Sequence, residues 1–365
     1  MTTRRNFLKG GTAAATGIVF CSCGMLDSAH AQGTSRTLPV AVNGRKVKTI
    51  DVHAHCHFRE AGALLGAEAQ AIQVPTVVNG AQEAFIEIDK RLAAMDSQAV
   101  DMEVLSINPF WYGRDRDLAA QIVKIQNEKL AELCASKPDR FAAFASLTLQ
   151  APDLAVQELE TAVKKQNLKG AAIGGMVNGV EFADPKFHPV WAKAEELGVP
   201  LFIHPQGVAE LGKRLSGNGW LGNTIGNPLE TTIALSHLIF EGTLDKFPGL
   251  KVIAAHGGGY LPSYADRSDH ACMVGPRGCN ADIKLKKKPS EYLKQLYFDS
   301  LIFSPEAIRH LVAQVGAGQV VLGSDYPYPW QLQPVDHIFA SSSLSDDEKA
   351  NILGNTAAKL LKIAM

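Results

Sequence analysis

From Lys48 onward, short apolar runs alternate with stretches whose apolar residues recur at helical spacing. The runs are Thr49–His53, Met102–Ile107, Phe141–Ser146, Gly170–Ile173, Pro200–His204, Lys251–Ala255, Leu296–Asp299 and Val320–Gly323. Each is short and drawn mostly from Val, Ile, Leu, Phe and Ala, the pattern of strands buried on both faces of a parallel sheet. Between them, Leu118, Ile122, Ile125 and Leu130 form one helical apolar face, Val156, Leu159 and Val163 a second, and Ile308, Leu311, Val312 and Val315 a third. Ser345-Asp346-Asp347-Glu348 reads as a capping box opening a terminal helix. Gly354 is expected to stop that helix before a last short one running to about Ile363. Eight such strands alternating with helices predict an α/β fold, a (β/α)8 TIM barrel, as a single catalytic domain over residues 48–365. A doubly wound open sheet is the alternative; no G-x-G-x-x-G follows the first strand to support it. Three long loops are expected, His57–Gln82, Pro205–Asn227 and Cys272–Ser290.

Barrel enzymes do their chemistry at the C-terminal ends of the strands, and the polar residues at these ends are not random. His53 and His55 close the first run one residue apart, so in a strand both imidazoles face the same way. His204 ends the fifth run, His256 follows the sixth before three glycines, and Asp325 follows the eighth. Singly, each has a plainer reading: an H-x-H is a weak signal, His204 a core histidine, Asp325 a turn aspartate before Tyr-Pro. Together, three histidines and a carboxylate suit one divalent metal with a position left open for water, whose pKa the metal lowers. His53, His55, His204 and Asp325 are the expected ligands. His256 is the expected acid/base, assisted by Asp325. Strand alternation turns Cys56 away from this group. His57, His188, His237, His310 and His337 fall in loops or helices and read as ordinary.

The chain has 365 residues, 46% of them hydrophobic, enough for a large core, and a formal charge of −1, which leaves no electrostatic footprint for nucleic acid. No run after the N-terminus is long enough to span a bilayer. Residues 1–31 look like a twin-arginine export signal: Arg4-Arg5-Asn6-Phe7-Leu8-Lys9, a mild apolar region from Gly11 to Cys21, and Ala29-His30-Ala31 as a cleavage site. A disordered tail with a chance arginine pair is the plainer reading, and the residues before Cys21 and Cys23 make a poor lipoprotein signal. A mature chain starting near Gln32 carries 33 Lys and Arg against 36 Asp and Glu, a charge of −3, and has four cysteines, Cys56, Cys134, Cys272 and Cys279. It is expected in the periplasm without stable membrane association. Cys272 and Cys279 can pair there or stay free.

Asp51-Val52-His53-Ala54-His55, Ile203-His204-Pro205, Ala255-His256-Gly257-Gly258-Gly259 and Leu322-Gly323-Ser324-Asp325-Tyr326-Pro327 resemble the amidohydrolase superfamily, in the group that includes aminocarboxymuconate-semialdehyde decarboxylase. Pro138-Asp139-Arg140-Phe141, 226–232 and Phe247-Pro248-Gly249-Leu250-Lys251 resemble it too, so the likeness covers most of residues 48–361. The resemblance implies one metal ion, zinc first, with manganese or iron as the other choices. It is mononuclear because the fourth run ends Ile173-Gly174-Gly175-Met176, without the bridging lysine of binuclear relatives. It also implies a homodimer, with Arg267 reaching a substrate carboxylate in the neighbouring subunit and Tyr328 lining the pocket. Trp220, in the glycine-rich loop Pro205–Asn227, is expected to cover the substrate. A surface arginine is the other reading of Arg267. A second substrate-anchoring arginine of the decarboxylase has no counterpart in 77–82, which argues against aminocarboxymuconate semialdehyde itself. The expected activity is non-oxidative decarboxylation of an aromatic or unsaturated carboxylic acid. Hydrolysis of a lactone, ester or amide is the alternative, and a non-catalytic binding protein a third reading.

Overall fold

The computed structural model describes residues 36–66, 87–275, 278–279 and 282–365. The expected export signal and the segment 77–82 lie outside them. Eight parallel strands follow one another: β1 Ile50–His55, β2 Met102–Ser106, β3 Phe141–Ala143, β4 Ala171–Ile173, β5 Pro200–Ile203, β6 Lys251–Ala254, β7 Tyr297–Asp299 and β8 Val320–Val321. β1, β2 and β3 pair in order, as do β4 to β8. Two seams join these arcs. Ala145 bridges Ala171, with Ala145 N donating to Gly170 O at 2.8 Å. Asp51 bridges Leu322, with Val52 N donating to Leu322 O at 2.8 Å and His55 N to Tyr326 O at 2.7 Å. The sheet therefore closes as a barrel, and the open-sheet alternative fails because the first strand hydrogen-bonds to the segment after the last.

Burial falls into two layers. Ile50, Val52, Val104, Phe144, Phe202, Ile253 and Val321 fill the barrel, over a floor that includes Ala357, Ala358, Leu360 and Leu361 of the helix Thr356–Leu361. The alternate positions, such as Leu105, Ile173, Leu201 and Leu322, pack outward with helix residues such as Leu159, Trp191, Leu235 and Leu311. Several strands end one to three residues before their apolar pattern does, because the chain leaves the ladder to turn into the rim.

Two features depart from the sequence pattern. Strict alternation would set Ile50 and Val52 on one face and His53 and His55 on the other. Instead the register against β2 shifts between Asp51 and Ala54, a bulge. The bulge lets Val52 fill the barrel while His53, one residue later, stands with its ring centroid 5.1 Å from that of Phe202. Gly354 does not stop the terminal helix. The helix Asp346–Ala350, capped by Ser345 and Glu348 as expected, runs through a π-type turn at Asn351–Asn355 into Thr356–Leu361. A Cβ on Gly354 would stand 1.8 Å from the carbonyl oxygen of Lys48, so glycine is needed there for contact with the start of β1. Cys272 and Cys279 are joined as a disulfide. Among the described residues, no helix is long and apolar enough to cross a membrane.

Candidate metal centre

The rim brings together all five residues singled out from the strand ends. Nε2 of His53 and Nε2 of His55 are 3.2 Å apart. Asp325 Oδ1 lies 3.2 Å from the former, 2.9 Å from the latter and 4.0 Å from His204 Nε2. Ligand atoms of His53, His204, His256 and Asp325 all fall within 4.8 Å of one another. His256 closes the ring of imidazoles, its centroid 5.3 Å from those of both His53 and His204.

Their tautomers are set from behind. His53 Nδ1 meets Asp299 Oδ2 at 2.6 Å. His55 Nδ1 lies 3.1 Å from Ser106 Oγ, whose own proton goes to Ala54 O at 3.1 Å, so the hydroxyl accepts from the imidazole. Both Nδ1 atoms then carry hydrogen, and both Nε2 lone pairs face Asp325 Oδ1. Three acceptors aimed at one small space repel unless a cation or proton lies between them. His204 Nδ1 and Nε2, His256 Nδ1 and Asp325 Oδ1 are buried without hydrogen-bond partners, and unsatisfied buried polar groups are costly. Donor spacings near 3 Å are those of neighbouring ligands each about 2.0–2.2 Å from one ion. The donor set fits a single divalent metal ion.

Electrostatics agrees. Burial disfavours the His53 imidazolium, but Asp325 and Asp299 outweigh it and raise the pKa to about 10. Burial opposes ionisation of Asp325, yet His53 and His55 hold it well below the usual carboxylate range. The site thus attracts positive charge. His204 is driven well below its ordinary value by burial and the neighbouring imidazoles. His256 falls to about 4, from burial and the charge on His53, and is neutral at pH 7.

Backbone geometry aims the last two groups. His256 (φ 56°) and Asp325 (φ 65°) sit in the left-handed region, which bulky residues rarely adopt. Asp325 N donates to His53 O at 2.8 Å, tying β8 to β1. The glycines after His256 let the chain pass close: a Cβ on Gly259 would stand 2.0 Å from Pro228 O.

Asp299 escaped sequence reasoning. Besides His53 it accepts from His256 N at 2.9 Å, Gly257 N at 2.8 Å and Leu301 N at 3.1 Å, so one carboxylate orients both a ring and the His256 turn. Its signal was present, since it ends the seventh run as His204 ends the fifth. Glu230 is the second such residue. Its Oε2 accepts from Gln206 N at 2.7 Å and from Gly207 N, fixing the loop behind His204. Burial raises its pKa to about 7.

The predicted substrate contacts divide. Tyr328 stands over the site, its ring centroid 5.6 Å from that of His55. Trp220 is 62% exposed, its φ is 51°, and its ring centroid lies 6.0 Å from that of Trp330 and away from the imidazoles. Arg267 is exposed on the helix Ala265–Val274, with no hydrogen bond or ion pair to the cluster in its own chain. Cys56 points into the outer core as alternation predicted, and burial raises its thiol to about 12.

Residues 50–363 match the family described as Amidohydrolase. The chain is 34% identical over 277 residues to 2-amino-3-carboxymuconate-6-semialdehyde decarboxylase of Dictyostelium discoideum, covering 75% of this chain and 76% of that protein. The crystal structure of 5-carboxyvanillate decarboxylase from Sphingomonas paucimobilis superimposes with a TM-score of 0.78 at 27% identity, covering 87% of this chain and 100% of the other. Dihydroxybenzoic acid decarboxylase from Polaromonas sp. JS666, solved with bound manganese and the inhibitor 2-nitroresorcinol, gives 0.76 at 25% identity over 87% and 97% of the two chains.

Proposed function

The chain belongs to the amidohydrolase family, and from that premise we propose that it is a metal-dependent, non-oxidative decarboxylase of aromatic carboxylic acids. The observation that carries the reading is the convergence of bare imidazole nitrogens and the Asp325 oxygen on one point of the barrel rim. The relatives' names supply the reaction class and favour carbon–carbon cleavage over hydrolysis.

We assign His53, His55, His204 and Asp325 as ligands. His256 is close enough to compete with His55 for a ligand position. We leave it out because Ser106 fixes His55 with Nε2 inward, whereas the His256 ring has no such restraint. When bound, a divalent ion supplies Lewis acidity, polarising the oxygens of an acid held against it. Zinc suits imidazole-rich sites, and manganese is the second choice on the Polaromonas relative. Decarboxylation adds one proton to the carboxyl-bearing carbon. The bond to the carboxyl carbon then breaks, its electron pair returning to the ring as CO2 leaves. His256, a neutral imidazole, can accept a proton on one nitrogen while donating from the other, and Asp325 faces the same space. Tyr328 lines the pocket beside His55, and Trp220 would cover a bound ring only if its exposed side chain swung in from its contact with Trp330. Arg267 would serve a neighbouring subunit's substrate in a homodimer, for which its exposure leaves room. Export to the periplasm by the twin-arginine route is part of the proposal, with residues 1–31 the signal and a single catalytic domain following it. Arg4-Arg5 and a disulfide suited to an oxidising compartment support it.

To test the reading, zinc- or manganese-loaded protein is offered hydroxybenzoates bearing one or two ortho oxygens, alongside aryl esters and lactones. CO2 release from the acids is expected. Cleavage of the esters or lactones with every acid untouched would transfer the site to hydrolysis. His256→Asn is expected to abolish turnover with metal content unchanged; full activity in that variant would remove His256 from the mechanism.

A further inference from the structure

One fully buried cation stands directly behind the ligand shell. Arg91, on the helix Ile88–Ser97, is completely buried. Its Nη1 donates to Glu103 Oε2 of β2 at 2.6 Å, its Nη2 donates to the carbonyl oxygen of His55, and its guanidinium carbon lies 5.2 Å from the centre of the Tyr326 ring. Those two residues are themselves joined, His55 N donating to Tyr326 O at 2.7 Å. Tyr326 follows Asp325 directly in the chain. One guanidinium thus touches both the end of β1, which carries His55, and the turn that carries Asp325.

We propose that Arg91 is a positioning residue for the metal centre, holding the His55 and Asp325 donors at the separation one ion requires. This rests on the ligand assignment above. Two contacts, one to a carboxylate and one to a carbonyl, use two separate nitrogens of the planar arginine fork; lysine offers a single nitrogen on a flexible stem and does not reproduce that geometry. Glu103 is the counter-ion that makes a fully buried guanidinium tolerable, because an unpaired charge there would be strongly destabilising. The pair fixes the seam between the first and last strands, where a small error would separate His55 Nε2 from Asp325 Oδ1.

The test separates positioning from stability. Arg91→Met alone strands Glu103 as a buried charge and is expected to fold poorly. The double variant Arg91→Met/Glu103→Gln removes both charges, and Arg91→Lys keeps the pair with Glu103 while losing the carbonyl contact. Zinc and manganese affinities are measured by chelator competition, and melting temperatures of the metal-free proteins are read alongside. The inference predicts that both variants melt within a few degrees of the wild type yet bind metal roughly 10–100-fold more weakly, the usual effect of removing a group that orients a ligand. Wild-type affinity in either folded variant would overturn it. If the wild-type protein itself binds neither metal, the ligand assignment fails first and takes the inference with it.

Discussion

At the scale of single residues, function here is a matter of which nitrogen carries hydrogen. Asp299 and Ser106 each occupy the Nδ1 of one histidine and so turn its Nε2 towards Asp325. Asp299→Asn keeps the shape but replaces a carboxylate with a weaker acceptor shared among four donors. It is expected to weaken metal binding roughly 10–100-fold, as read by chelator competition; unchanged affinity would make Asp299 a backbone support only. The five rim residues were legible because histidines and an aspartate sat where apolar runs ended. Asp299 ended a run too, but one carboxylate with no partner in the sequence looks like any turn aspartate. Arg91 and Glu103 were hidden more thoroughly. A charged residue in a helical or strand pattern reads as solvated, and only the folded barrel shows that these two are buried against each other.

A second residue-scale prediction concerns pH. The Glu230 carboxyl has a pKa near 7 when folded, against about 4.3 in the unfolded chain. Between those values the unfolded chain releases its proton first, so Glu230 lowers stability as pH rises from about 4.3 to 7. Melting temperatures across that window should decline less steeply in Glu230→Gln than in the wild type. Parallel curves would show that Glu230 is not protonated in the fold.

At the scale of elements, periodicity gave the strand and helix order, and closure followed from eight repeats. Two details of the elements escape periodicity for related reasons. The bulge in β1 adds one residue to the ladder with β2, and no sequence pattern distinguishes an extra residue in an apolar run from a regular one. Gly354 looked like a helix stop because glycine usually is one; its actual constraint is a carbonyl some three hundred residues away in the chain, at Lys48. Gly354→Ala should therefore cost about 1–3 kcal/mol through overpacking, measured by chemical denaturation. Ordinary helix propensity predicts the opposite sign, because alanine favours helix over glycine.

At the scale of the whole molecule, the barrel brings donors from β1, β5 and the turn after β8 to one rim, and two of the four, His204 and Asp325, present buried atoms with no hydrogen-bond partner. The metal should therefore stabilise the fold as well as activate it. A ligand present at about a thousand times its dissociation constant adds about 4 kcal/mol, so exhaustive chelation should lower the melting temperature clearly and reversibly. The most direct measurement follows carboxyl-13C 2,6-dihydroxybenzoate with protein of known metal content. The account predicts labelled CO2 in proportion to metal up to one ion per chain, lost on chelation and restored by zinc or manganese. Metal bound at that stoichiometry with no labelled CO2 from this or any related acid, or CO2 release that ignores chelation, would contradict it.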